Sequence, residues 1–152
     1  MKIFKKVLFT LIFVSFASVS SVSFAETKMR ITLQLPLKAH LGQNLLVFKK
    51  ELEANSDITV EIYDSAQLYK DKEVPQAVGS GAIEAGVASI TRFAGTNPEV
   101  DIFYLPFLFD SEAKIRKATK AGSEIRSILD PAIASTGAVP LYYQAYGSAI
   151  ML

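Results

Sequence analysis

Arg92 is the side chain in this sequence best suited to gripping a ligand. It follows a run of small and apolar residues, Ala85 to Ile90, and precedes Phe93. A guanidinium at the carboxyl end of a buried strand can pair bidentately with a carboxylate, a geometry that lysine does not supply. A surface salt bridge suits the same residue, and position alone leaves both readings open. Tyr142, Tyr143 and Tyr146 cluster further on, where rings serve either as core and rim or as a ligand wall. Signals for catalysis are poor. His40 is the only histidine and there is no cysteine, so disulfides, thiolate metal sites and cysteine nucleophiles are all excluded. The sequence around His40 reads as a helix start, where an imidazole packs or hydrogen-bonds. No Gly-x-Ser-x-Gly elbow and no paired histidines at metal spacing occur. Gly79-Ser80-Gly81 fits neither a P-loop nor a dinucleotide fingerprint. Asp71 and Glu73 read as the solvated start of a helix rather than an acid–base pair. The pattern is that of a non-enzyme without cofactor or metal.

The elements that must hold Arg92 follow from hydrophobic periodicity. Met29, Ile31, Leu33 and Leu35 alternate with polar residues, which predicts a strand ended by Pro36. Leu41, Leu45, Phe48 and Leu52 then form one helical stripe, and Asn55-Ser56-Asp57 stops it. Ile58, Val60 and Ile62 alternate again. Strand, helix, strand predicts a βαβ unit with parallel strands. Asp71 to Ser80 reads as a short helix with Pro75 in its first turn, ended by Gly79 and Gly81. Ala85 to Ile90 reads as a strand buried on both faces, and Ile102 to Phe109 as a strand running into a turn. Ser111 suits a helix cap. Ile125, Ile128, Leu129, Ala132 and Ile133 have helical spacing, with Asp130-Pro131 expected to kink or divide that helix. Val139 to Tyr143 closes with a strand. The class is α/β, a mostly parallel sheet with helices on both faces. Ligands in such sheets bind beyond the carboxyl ends of strands. That rule points to Gln34 to Leu37, Tyr63 to Leu68, Ser89 to Phe93 and Gln144 to Ser148.

The first 25 residues read as a signal peptide. Lys2, Lys5 and Lys6 precede an apolar run from Val7 to Val14 broken only by Thr10, and Ser23-Phe24-Ala25 suits cleavage before Glu26. An apolar core of about ten residues spans roughly 15 Å as a helix, too short for a hydrocarbon slab of roughly 30 Å. The chain is expected to be periplasmic, with no membrane insertion after cleavage. The 152 residues hold 16 basic and 15 acidic side chains. The leader contains three of the lysines and no acid, so residues 26–152 carry 13 against 15. So balanced a surface offers no footprint for nucleic acid. A chain of this length is expected to form one domain around an ordinary packed core.

The order of segments resembles the DctP-type solute-binding proteins of tripartite ATP-independent periplasmic (TRAP) transporters. The residues that carry the likeness begin with Ile31-Thr-Leu-Gln-Leu-Pro, His40-Leu-Gly-Gln, Val60-Glu-Ile-Tyr and Ala66-Gln67-Leu68. They continue through Asp71-Lys-Glu-Val, Gly81-Ala-Ile-Glu-Ala-Gly-Val-Ala and Val100-Asp-Ile-Phe-Tyr-Leu-Pro-Phe-Leu-Phe. The resemblance implies a two-lobed clamshell that closes on an organic acid, a C4-dicarboxylate or related carboxylate, by a hinge motion. It implies delivery to the small and large integral membrane subunits. It assigns Gln34 as an amide facing the ligand, Ser89 as a polar cleft position and Arg92 as a basic ligand or water-network residue.

Two departures from the family pattern shape the expectations. After Leu141-Tyr142-Tyr143-Gln144 the family places a ligand-gripping arginine, whereas this chain reads Ala145-Tyr146-Gly147-Ser148-Ala149. Tyr146 and the backbone at Gly147 are expected to face the ligand instead. By the resemblance, residues 26–152 are the N-terminal lobe, and the sequence stops about halfway through a typical member. It is therefore expected to be a truncated form that binds organic acids weakly or not at all. The alternatives are a ligand-independent docking fragment for the membrane subunits and a binding protein of an ABC-type importer.

Overall fold

The computed structural model describes residues 27–145. The expected leader, Tyr146 and Gly147 lie outside the described residues. Three strands form one parallel sheet in the order β2-β1-β3, with β1 at Thr27–Thr32, β2 at Ile58–Tyr63 and β3 at Ala85–Gly86. Helix α1, His40–Asn55, is the crossover from β1 to β2. Ser56 ends it, its hydroxyl donating to the Leu52 carbonyl at 2.7 Å and accepting the Ile58 N–H at 3.3 Å. The predicted βαβ unit is present with both strands parallel.

Alternation along β1 sorts the two faces of the sheet. Ile31 and Leu33 bury against Leu45 of α1 and Val60 of β2, with Leu41, Phe48 and Leu52 packed around them. Each such side chain taken from water contributes roughly 1.5–3 kcal/mol. Thr32 lies on the opposite face beside its partner Gly86. A Cβ on Gly86 would come within 2.5 Å of a Val74 methyl, which puts helix α2, Val74–Gly79, on that face. The class is therefore α/β with helices on both faces. A 3-10 turn, Asp71–Glu73, leads into α2 with Pro75 in its first turn, as expected. No helix among the described residues is long and apolar enough to cross a membrane.

Arg30 projects to the same side as Thr32 and ties β1 to the approach to β3. Its Nε and Nη2 donate to the two Glu84 carboxylate oxygens at 2.8 and 2.7 Å, and its backbone N–H adds a third bond at 2.9 Å. The guanidinium bonds and the backbone bond hold the Glu84 carboxyl at about 2, against an ordinary 4.5. A carboxyl depressed in the folded state stabilises above its unfolded pKa and loses that contribution as pH falls through the folded one. The urea midpoint should therefore drop as pH falls from 4.5 towards 2. The drop should be shallower in Glu84→Gln, and equal slopes would contradict the pairing.

Three expectations are corrected, and of the two outcomes expected at Asp130-Pro131, a kink or a division, division does not occur. The third strand is two residues long rather than six and its residues are only half-buried. Val87 N–H still reaches the Thr32 carbonyl at 2.9 Å, but Asp71 takes the Ser89 N–H and the chain turns into a 3-10 helix at Ile90–Phe93. Ile102 to Phe109 is not a strand. Pro98 opens a 3-10 helix, Pro98–Tyr104, that buries Val100 and leaves Leu105, Phe107 and Leu108 exposed. Asp130-Pro131 does not divide its helix, which runs unbroken as α4, Glu124–Ala134. Pro131 lies near the end, and its own carbonyl still accepts the Ser135 N–H at 3.0 Å. Val139 to Tyr143 forms no strand: it runs along helices instead of pairing with the sheet. Tyr142 stacks near Phe48 of α1, and Tyr143 bonds to Asp130 of α4. Ser111 caps α3, Glu112–Thr119, as expected, and Ser123 caps α4.

Candidate functional site

The carboxyl ends of the strands converge as the sheet rule requires. Beyond β1 and β2, Ala66 N–H donates to the Leu33 carbonyl at 3.0 Å and Ser65 N–H to the Leu35 carbonyl at 3.2 Å. Asp64 accepts the Leu37 N–H at 3.1 Å, lashing the two loops together. Ser65 and Ala66 take left-handed backbone, φ 53° and 57°. Non-glycine residues are held there only by surrounding contacts. Beyond β1 and β3, the register Thr32 to Gly86 carries Gln34 and Ser89 out along the same edge.

Gln34 brings an unmatched donor to that edge. Its amide nitrogen is enclosed and has no acceptor among the described residues, and the same holds for the Thr32 hydroxyl. A buried donor without a partner costs about 1–3 kcal/mol, which a ligand oxygen there can offset.

Ser89 and Arg92 are brought together by a residue that the sequence reading set aside. Asp71 accepts the Ser89 N–H at 2.8 Å through one oxygen and the Arg92 Nε at 2.5 Å through the other. Burial opposes ionisation of Asp71, but the Ser89 and Arg92 hydrogen bonds outweigh it and hold the carboxyl below its ordinary value. The hydrogen bond and charge of Asp71 in turn raise the Arg92 pKa. The two open readings of Arg92 thus combine. It is in a salt bridge, yet through Nε alone, and its terminal nitrogens make no hydrogen bond among the described residues. That leaves the forked end free for an incoming oxygen anion.

The other candidates lie elsewhere. His40 begins α1 and its Nε2 sits 3.4 Å from the Ala145 carbonyl, the helix-end role expected of it. With Asn44, Phe48, Arg116, Tyr142 and Gln144 it lines a cleft of about 650 Å³ that Gln34, Ser89 and Arg92 do not reach. Tyr143 is fixed to α4 by Asp130 and lies beneath the Arg126 guanidinium, 5.1 Å from its ring centroid. No cluster of potential metal ligands occurs among the described residues.

Comparison with known proteins gives the family and the fold. The model of the family described as bacterial extracellular solute-binding protein, family 7, matches residues 34–151. The C4-dicarboxylate-binding periplasmic protein of Rhodobacter capsulatus is 32% identical over 83 residues, 53% of this chain and 25% of that protein. A Bordetella pertussis extracytoplasmic solute receptor binding pyroglutamic acid superposes with a TM-score of 0.62 at 26% identity, over 73% of this chain and 36% of that one. A TRAP periplasmic solute-binding protein from Sulfurospirillum deleyianum with bound succinate gives 0.63 at 26% identity, over 74% and 36%. The matched portion is thus a quarter of the curated relative and about a third of each solved structure.

Proposed function

Because the chain belongs to family 7 of the bacterial extracellular solute-binding proteins, we propose that it is the solute-contacting N-terminal lobe of a TRAP receptor for an organic acid. The observation that supports this reading is the guanidinium of Arg92, which Asp71 holds through Nε alone and whose fork is left free beyond β3; the enclosed Gln34 amide beyond β1 is a second donor without a partner. Ser89 completes the set of polar groups around a carboxylate, with Tyr146 and the backbone at Gly147 contributing from the segment that follows Gln144. The ligand is a small carboxylate, in line with the succinate and pyroglutamic acid held by its relatives. The receptor works in the periplasm after residues 1–25 are removed, and hands its solute to the integral membrane subunits. It performs no reaction.

Binding by the 152 residues alone is weak. Arg92 keeps 46% of its side chain exposed, and charge-assisted hydrogen bonds facing open water give little of their full value. A dissociation constant on the order of 1 mM, about 4 kcal/mol, is expected. Saturation-transfer NMR with pyroglutamate and succinate tests this at such affinities. Both acids should give signals that Arg92→Ala abolishes in a folded variant. Silence from both acids on the unsubstituted protein, or signals unchanged in Arg92→Ala, would overturn the reading.

A further inference from the structure

We infer that Lys49 and Glu53 close the outer edge of β2 against a second copy of the same strand. The inference is independent of the ligand site. β2 stands at one end of the sheet order β2-β1-β3, and no strand pairs with its outer side among the described residues. Tyr63 turns its carbonyl inward, accepting the Leu33 N–H at 2.9 Å. Successive residues of a strand present their backbone groups to alternate sides, so Ile58, Val60 and Ile62 face outward.

Val60 is the middle of these three and is buried. Its N–H donates to Glu53 Oε1 at 2.8 Å, and its carbonyl accepts from Lys49 Nζ at 2.5 Å. Lys49 Nζ lies 3.2 Å from the same Glu53 oxygen, which closes a ring. The pair thus gives Val60 the acceptor and the donor that an adjacent strand would give. The Ile58 N–H is taken as well, by the Ser56 hydroxyl at 3.3 Å. The Val60 N–H holds the Glu53 carboxyl below its ordinary value, with desolvation opposing it and Lys49 adding to it. Leu45, Phe48 and Leu52 seat α1 on the face of the sheet, while Lys49 and Glu53, one turn apart, reach its rim. An ion pair with 36% and 33% of its side chains exposed adds little stability of its own. Closing the edge accounts for its placement better.

What needs covering is legible in the strand. Ile58–Tyr63 reads Ile-Thr-Val-Glu-Ile-Tyr, β-branched and aromatic, with one charge and neither proline nor glycine. Six-residue segments of that kind pair with their own copies when an edge is open. An identical β2 laid antiparallel about a two-fold axis would exchange backbone hydrogen bonds at Val60 and close the contact as a dimer.

The test is sedimentation velocity of the purified chain over a concentration series. Lys49→Ala with Glu53→Ala removes the donor and the acceptor, keeps helix propensity and adds no apolar bulk. That variant should dimerise with a dissociation constant at least about tenfold below that of the unsubstituted protein. Its Val60 amide should gain protection from hydrogen exchange as concentration rises. Lys49→Arg with Glu53→Gln keeps a donor and an acceptor, and should behave as the unsubstituted protein does. Gly137→Ala, whose Cβ would collide with the Gly79 carbonyl, weakens the fold with the edge still closed and controls for association through unfolding. Should the double alanine variant fail to fold, Glu53→Ala alone, which frees only the N–H, carries the same comparison. Association that is unchanged in the alanine variants, equalled by Gly137→Ala or by the Arg–Gln variant, or formed without protection at Val60 overturns the inference.

Discussion

Gly79→Ala should destabilise the protein by about 3 kcal/mol or more, well beyond an ordinary glycine-to-alanine change. A Cβ at Gly79 would lie 2.2 Å from the Thr136 carbonyl oxygen, a backbone atom that cannot swing aside. The contact is reciprocal. Gly137 has φ +89°, and a Cβ there would lie 2.5 Å from the Gly79 oxygen. The end of α2 and the turn after α4 thus meet backbone to backbone, which joins the helix over the sheet to the helices that follow it. Gly137→Ala adds left-handed strain of roughly 1–2 kcal/mol to the same collision. Gly95 is the control, with open space around it and no positive φ. Urea unfolding of the three alanine variants should place Gly95→Ala within about 1 kcal/mol of the unsubstituted protein and the other two far below it. If Gly79→Ala behaved like Gly95→Ala, the two turns could not be in contact.

Periodicity revealed the parts of the fold whose burial is one-sided. The β1 alternation and the α1 stripe both report a single apolar face, and both elements form, α1 where the pattern puts it and β1 at Thr27–Thr32, ending before Leu33 rather than at Pro36. Errors fell on continuous apolar runs, which carry no facial information. Ala85 to Ile90 and Ile102 to Phe109 read as strands because apolar runs resemble buried strands. Their conformation was decided by single polar partners and prolines: Asp71 capturing the Ser89 N–H, and Pro98 opening a 3-10 helix. Val139 to Tyr143 has strand composition, yet it follows the helices because its aromatics find Phe48 and Asp130 there.

The site was legible in its location and incomplete in its chemistry. The strand-tip rule points to Gln34, Ser89 and Arg92, and all three follow the carboxyl ends of β1 and β3, whose register ends at Thr32 and Gly86. Asp71 was set aside because an acidic residue at a helix start has an ordinary electrostatic explanation. It lies 18 residues from Ser89 and 21 from Arg92 in sequence. A signal did exist: an arginine expected at a half-buried strand tip needs a carboxylate, and Asp71 precedes the helix that packs over that strand.

Asp130→Ala is expected to cost about 3 kcal/mol and to release the segment that leads to Gln144. Asp130 accepts from Arg126 Nε at 2.9 Å and from Arg126 Nη2 at 2.8 Å, and its other oxygen takes the Tyr143 hydroxyl at 2.9 Å. Only 12% of the Arg126 side chain is exposed. Removing its carboxylate leaves a largely enclosed cation with the Tyr143 ring and the Pro140 carbonyl, at 3.4 Å, as its remaining partners. Losing one partner of an enclosed pair is more damaging than losing the pair, because desolvation of the survivor is no longer offset. Tyr143→Phe removes a single hydrogen bond and keeps the ring under Arg126, so it should cost about 1 kcal/mol. In the double variant the two losses should fall short of additive by about 1 kcal/mol, since both report on one network. Limited proteolysis separates this from general loosening: cleavage between Leu141 and Ala145 should speed up in Asp130→Ala by more than cleavage within β1 and α1, which follows the loss of global stability. A cost no larger than that of Tyr143→Phe would mean that Arg126 is solvated in solution, and that α4 does not hold the segment from Leu141 to Ala145.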